Sequence, residues 1–162
     1  DNMEIEEQIK KWLLDEDCLR EMKYDENADF HFIVEFPKEN IMDVVKPKDK
    51  DCIIIACATQ VAPQHLDLMK STDVKTQKDF ILELNFGLNN FLVDFELQIN
   101  QNILQQFVVT EQIFNDGLTK HEFMKTMKRV FKAKLHCIWL IDKKFGSLND
   151  FTVPSNENDM FL

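Results

Sequence analysis

The chain has 162 residues, of which 44% are apolar and 30% charged, a composition typical of a soluble globular protein that buries its own core. Its formal net charge of −10 argues against nucleic acid as the main partner, because binding a phosphate backbone requires a positive surface. Only three glycines are present (Gly87, Gly117 and Gly146), which excludes a glycine-rich phosphate loop and a dinucleotide fingerprint.

The cysteines are scattered and form no Cys-x-x-Cys pair: Cys18, Cys52, Cys57 and Cys137. We interpret them as reduced thiols of an intracellular protein, and we predict neither a metal nor a cofactor. The longest apolar run, residues 52–58, is far shorter than the ~20 residues of a membrane span. No basic-then-apolar leader precedes Met3, so we expect no export and predict a cytoplasmic location.

The first half of the chain predicts one helix followed by an antiparallel meander. Apolar residues recur at helical spacing from Ile5 to Leu13, which predicts a helix over about residues 4–15. Four strands separated by short turns follow, at about residues 19–24, 30–36, 41–46 and 52–58. Residues 52–58 are apolar on both faces, so we expect a central strand that is covered on both sides.

The second half predicts two helices, a strand pair and a long closing helix. Pro63 favours a short helix over residues 63–70, and Thr76 with Asp79 resembles a capping box for the next helix. Strands follow at residues 93–99 and 103–113, and the second is interrupted at residues 105–106, which indicates a bulge or an edge. A capping box at Thr119 opens a helix that reaches Phe145, with Gly146 as its terminating residue.

The closing helix is strongly basic at its front and apolar at its back. Residues 119–145 carry eight Lys or Arg against two acids, or +6, so the rest of the −10 chain sums to −16. The lysines meet either the acids of the same chain or of a sister subunit, or an external anion. From Leu135 onward the helix is apolar around most of its circumference, and the cover is either intramolecular core or a dimer seam. The candidate interface residues are Leu135, Ile138, Trp139 and Phe145.

These elements predict an α+β two-layer sandwich. Its antiparallel sheet has about five to six strands, flanked by N-terminal, middle and long C-terminal helices. Residues 1–146 form a single domain, and residues 147–162 form a polar tail that we expect to be flexible. The order of elements is similar to that of type III secretion chaperones. That resemblance implies a small protein that dimerises and binds peptide segments.

Four segments resemble a conserved archaeal family catalogued as domain of unknown function 2299. They are residues 29–34 (DFHFIV), 62–65 (APQH), 115–118 (NDGL) and 129–140 (RVFKAKLHCIWL). The resemblance covers about residues 4–146 and leaves out the tail. It implies an archaeal cytoplasmic protein from a methanogen, and it supplies no activity and no site residues.

Three sets of residues are candidates for chemistry. Asp29, His31 and Glu35 share one strand face and make an acid/base or metal set, but a polar sheet edge explains them better. His65 follows a strand-to-helix connector and marks a candidate pocket, but a local hydrogen bond at the start of the helix explains it better. His136 and Cys137 are adjacent on a helix and diverge by ~100°, so they do not form a nucleophile and base pair.

The sequence therefore favours a non-enzymatic, chaperone-like module that binds a protein or peptide and acts as a homodimer. One alternative is a small-molecule-binding protein or enzyme with a pocket between sheet and helix near His31 and His65. Another is anion binding by the lysine-rich face of the closing helix. We predict no catalytic, cofactor or metal residues.

Overall fold

A six-stranded antiparallel sheet forms one layer of the molecule and four helices form the other. The computed structural model describes residues 2–146. Its elements are α1 (Asn2–Asp15), β1 (Leu19–Met22), β2 (Ala28–Glu35), β3 (Ile41–Pro47), β4 (Cys52–Gln60), α2 (Pro63–Lys70), α3 (Val74–Asn90), β5 (Asp94–Asn100), β6 (Ile103–Phe114), a 3-10 turn (Asn115–Gly117) and α4 (Lys120–Phe145). The predicted α+β two-layer architecture is confirmed. The tail predicted at residues 147–162 lies outside the described residues.

The strands lie in the order β1-β2-β3-β4-β6-β5. The first four are neighbours in both sequence and space, which confirms the predicted meander. β6 then pairs with β4, and β5 forms the second edge of the sheet. The register of β5 against β6 shifts after Gln98, where Gln105 is the extra residue of β6. This irregularity confirms the bulge predicted at residues 105–106.

All four helices pack on the same face of the sheet. Phenylalanines from both layers meet there (Phe32 of β2, Phe80 of α3, Phe107 of β6 and Phe123 of α4), and each is almost fully buried. Trp12 ties α1 to α4, because its ring centroid lies 5.7 Å from that of Phe123. The core is one continuous apolar cluster between the two layers.

The start of α4 matches the prediction, whereas the start of α3 does not. The hydroxyl of Thr119 accepts the backbone N–H of Glu122 at 3.1 Å, as the predicted capping box requires. α3 begins before the predicted cap, because the carboxylate of Asp73 accepts the backbone N–H of Thr76 at 2.7 Å. The prediction that Thr76 caps this helix was therefore wrong. An acidic cap is favoured at this end by the positive pole of the helix dipole.

β4 lies at the centre of the sheet, as predicted, but its cover differs from the prediction. Ile53 and Ile55 point toward the helices and are fully buried. On the opposite face, Ile54 and Ala56 are half-buried and Ala58 is exposed. The expectation of cover on both sides was wrong for residues 2–146, because every helix in that range packs on the same side. An apolar surface is left on the other side.

Candidate functional site

The sheet face opposite the helices, which we call the open face, is organised in rows of side chains across neighbouring strands. One row crosses all six strands in the order Glu21, Ile33, Asp43, Ala56, Thr110 and Asp94. The row on one side contains Val45 and Ile54, and the row on the other contains Ala58 and Val108. Because side chains alternate between the two faces of a strand, these positions face away from the core.

The centre of the open face is shallow, and its apolar side chains on β4 stand between polar ones, Asp43 on β3 and Thr110 on β6. Ala56 and Ala58 occupy the middle strand, and their methyl groups leave a strip between the larger side chains of Ile54 and Val108. Toward the β5 edge lies a depression of ≈ 430 Å³, lined in part by Glu96 and Val108. Antiparallel sheets often keep one face solvated, but that face is then usually polar. On this one, apolar and polar side chains are mixed.

Carboxylates border this centre at both edges of the sheet. Glu21 lies on β1, and Asp94 and Glu96 lie on β5, five strand spacings or roughly 24 Å away. All three are exposed. Within residues 2–146, none of them forms an ion pair with a lysine, arginine or histidine. The β5 border therefore presents uncompensated negative charge. On the β1 border, the exposed Lys23, whose backbone N–H donates to His31, lies two residues from Glu21 on the same face.

His31 stands at one end of the open face between two carboxylates. Its Nε2 lies 2.7 Å from Oδ1 of Asp43, and its Nδ1 lies 3.1 Å from Oδ2 of Asp25. A neutral imidazole has one N–H, so the ring donates to both carboxylates only when both nitrogens carry hydrogen. Two hydrogen bonds lower the pKa of Asp25. The one from the backbone N–H of Asn27 has the larger effect, and the one from His31 has the smaller effect.

The three members of the predicted acid/base set each bind a different partner. The ammonium of Lys46, which is 2% exposed, donates to Asp29 at 3.0 Å. Arg20 donates to Glu35 at 2.9 Å, and His31 binds the two aspartates just described. Residues 2–146 contain no group of three His, Cys, Asp or Glu side chains placed to hold a metal ion. The arrangement fastens β2 to its neighbours β1 and β3.

His65 lies on the other side of the sheet from His31. It is 1% exposed, and its Nε2 lies 3.1 Å from the carbonyl oxygen of Gly146. It thus holds the end of α4 against α2. The sheet separates His65 from His31. Within residues 2–146, therefore, the two histidines do not line a shared pocket, and the pocket predicted near this pair is not formed.

His136 and Cys137 point in different directions, as their adjacency predicts. Cys137 is fully buried, and burial raises the pKa of its thiol to about 12. The ring of His136 packs against Phe91 with centroids 5.5 Å apart and fills the space beside Gly87. Its Nε2 is buried and has no hydrogen-bond partner within the described chain. Neither group is placed to act as a nucleophile.

The four candidate interface residues are not equivalent in the structure. Leu135 is 4% exposed and Phe145 is 7% exposed, and both belong to the core. Phe145 contacts Phe80 of α3 edge to face, with ring centroids 4.9 Å apart. Ile138 is half-buried against the same core, whereas Trp139 is 42% exposed. For Leu135 and Phe145 the structure favours the intramolecular alternative, and Trp139 is the most exposed of the four.

The fold defines a class of two-layer α+β proteins with one helix-covered and one open sheet face. This chain belongs to the family described as uncharacterized conserved protein (DUF2299), whose model matches residues 5–141. The family resemblance seen in the sequence is thereby confirmed. No curated protein sequence matches the chain.

Two solved structures are similar to this one. An uncharacterized protein from Methanothermobacter thermautotrophicus, an archaeal relative, is 42% identical with a TM-score of 0.84, over 86% of this chain and 98% of that one. YbjN from E. coli, described as a candidate transcription regulator, is 14% identical with a TM-score of 0.46, over 81% of this chain and 89% of that one. This second likeness is too low to carry an argument. Among residues 2–146, every helix is too short or too polar to cross a membrane.

Sequence reasoning missed Asp25 and Asp43 as the partners of His31. Asp43 faces the open side of β3, and its place beside His31 follows from the pairing of His31 with Val45. A meander with a short turn makes β2 and β3 neighbours, so an acid on β3 was a foreseeable partner. The exact register, which selects Asp43, depends on the turn and on packing.

Proposed function

We propose that this protein is a non-catalytic binding module that holds a cationic, partly apolar segment of another protein on the open face. The observation that supports this proposal is the strip of small apolar side chains on β4 together with the unpaired carboxylates of Asp94 and Glu96 on β5. Apolar contact supplies affinity at the centre of such a surface. The β5 border selects the sign of charge and favours a segment with lysine or arginine beside its apolar residues.

Charge also decides between the available occupants. A second copy that contacts the open face with its own open face would bring Asp94 and Glu96 against like charges where two β5 edges meet, which is unfavourable. The chain's own residues 147–162 contain three acids and no lysine or arginine, so they carry the same sign as the β5 border. A basic segment of a different protein is the occupant that the surface complements.

Ala58 offers a direct test, because it is exposed at the centre of the open face. The probe is a synthetic peptide in which lysine alternates with valine, labelled for fluorescence anisotropy. Ala58→Lys places a positive charge under the peptide and should weaken binding tenfold or more. Ala58→Glu adds a negative charge at the same site and should tighten it. Leu82→Lys, at an exposed position on the helix layer, is the matched control and should bind like the wild type.

Opposite effects of the two Ala58 variants, with an unchanged control, would support the proposal. Equal binding by all four proteins would show that the peptide binds elsewhere, and the proposal would fail.

A peptide in which glutamate replaces lysine should not bind. If deletion of residues 147–162 is needed before any peptide binds, the segment belongs to the chain itself, and the partner role is refuted. The predicted homodimer stays a prediction, to be tested through Trp139.

A further inference from the structure

The basic residues of α4 divide into a paired and an unpaired group. The paired group reaches acceptors of the same chain: Lys120 with Glu16 at 2.8 Å, Arg129 with Glu111 at 2.8 Å, Lys144 with Glu83 at 2.9 Å and Lys134 with Asn40 at 2.6 Å. The unpaired group is Lys125, Lys128, Lys132 and Lys143, none of which has a carboxylate within ion-pair distance in residues 2–146. The interpretation that the chain's own acids neutralise α4 therefore holds for Lys120, Arg129 and Lys144, whereas Lys134 binds a neutral amide.

The unpaired lysines lie in one line along the outer surface of α4. At 1.5 Å and 100° per residue, Lys125, Lys128, Lys132 and Lys143 fall within about 60° of each other and span roughly 27 Å. Trp139 stands in the same line. It follows Lys132 by seven residues, and seven residues turn a helix through two full turns to within about 20°. We call this set the lysine stripe. Trp139 is the one large apolar side chain of α4 that is exposed.

The net charge of the chain does not describe the lysine stripe. The unpaired acids of the open face lie beyond the sheet, and the helix layer that intervenes is itself ~10 Å thick. At physiological salt the Debye length is about 8 Å, so those acids are screened from a ligand on α4. The acids of the open face therefore do not count against nucleic acid at this surface.

We propose that the lysine stripe is a binding site for single-stranded nucleic acid. The phosphates of a flexible strand would follow the four ammonium groups, and one base would stack on the indole of Trp139. Basic grooves or surfaces combined with an exposed aromatic ring are the general means by which single strands are held without sequence preference. This inference does not rest on the proposed function, which concerns the opposite surface of the molecule.

Two other polyanions fit the stripe less well. A helix that lies on an anionic membrane inserts an apolar face, but the apolar face of α4 is committed to the core through Phe123, Met127 and Val130. An acidic protein segment would form ion pairs with the lysines, but its carboxylates would make no stacking contact with the exposed Trp139. A nucleobase uses both features.

The test measures the binding of a labelled oligouridine of roughly 15 nucleotides, within the range of single-strand site sizes, by fluorescence anisotropy. Four contacts predict that log K falls with log salt at a slope of about −3, since each neutralised phosphate on a single strand contributes about −0.7. The triple variant K128Q/K132Q/K143Q should lose at least tenfold in affinity, and its log K should fall with log salt at a slope of about −1. The matched control K38Q/K48Q/K50Q changes net charge equally at exposed turns and should behave as the wild type.

Trp139→Leu separates stacking from charge. It should weaken oligouridine binding by roughly tenfold and leave the salt slope unchanged, because no ammonium group is removed. Several results would overturn the proposal. These are no binding at about 50 mM salt, where such contacts are strongest, or an equal loss in the control triple variant. An oligoglutamate that competes as well as RNA would also overturn it, as would binding to phosphatidylserine vesicles without binding to RNA.

Discussion

Substitution of Gly87 by alanine tests the contact through which α3 and α4 meet. In an unobstructed helix, glycine to alanine stabilises by about 1 kcal/mol. At Gly87 the added methyl would overlap Nε2 of His136, whose ring is held against Phe91. The ring must leave its place, and overpacking of this kind costs about 1–3 kcal/mol. We therefore expect Gly87→Ala to destabilise the protein by about 0–2 kcal/mol, with the opposite sign to the ordinary helix effect.

A double-mutant cycle in urea unfolding measures this contact. His136→Ala removes the ring, so Gly87→Ala in that background should stabilise by about 1 kcal/mol. The coupling energy between the two sites should be about 1–3 kcal/mol. Gly117→Ala is the control, because a Cβ there meets nothing within 4 Å. If Gly87→Ala alone stabilises by the full ~1 kcal/mol, the ring moves aside at no cost and the reasoning is refuted.

Two further predictions concern α4. Trp139→Ala should leave the monomer folded, because the side chain is 42% exposed, whereas Phe145→Ala should cost about 3–5 kcal/mol as a core truncation. Light scattering on Trp139→Ala then reports the predicted homodimer, which is contradicted if wild type and variant are both monomeric. Burial lowers the pKa of His136 below its usual 6.5, so the unfolded chain binds the proton more tightly. Stability should therefore fall as the pH drops below about 6.5, and urea midpoints for His136→Gln should show a smaller fall. An equal fall in both proteins would contradict this.

Local pattern was sufficient to predict the elements, because each depends on a few neighbouring residues. The alternation in β5 and the cap at Thr119 are examples of signals that the structure confirms. The same pattern did not predict which face of β4 the helices cover, since Ile53 and Ile54 are equally apolar. The cover of Phe145 by Phe80 was likewise not predictable, because it depends on how closely α3 approaches α4 at Gly87, a tertiary contact.

Two surfaces of opposite local charge stand on opposite sides of the molecule. The unpaired carboxylates of Asp94 and Glu96 lie at the β5 edge of the open face, and four unpaired ammonium groups lie along the outside of α4. By the two proposals above, a cationic segment would bind the sheet and a polyanion would bind the helices. The two ligands would occupy opposite surfaces without touching. If both proposals hold, one copy of the chain would carry two partners of opposite charge and keep them apart by its own thickness.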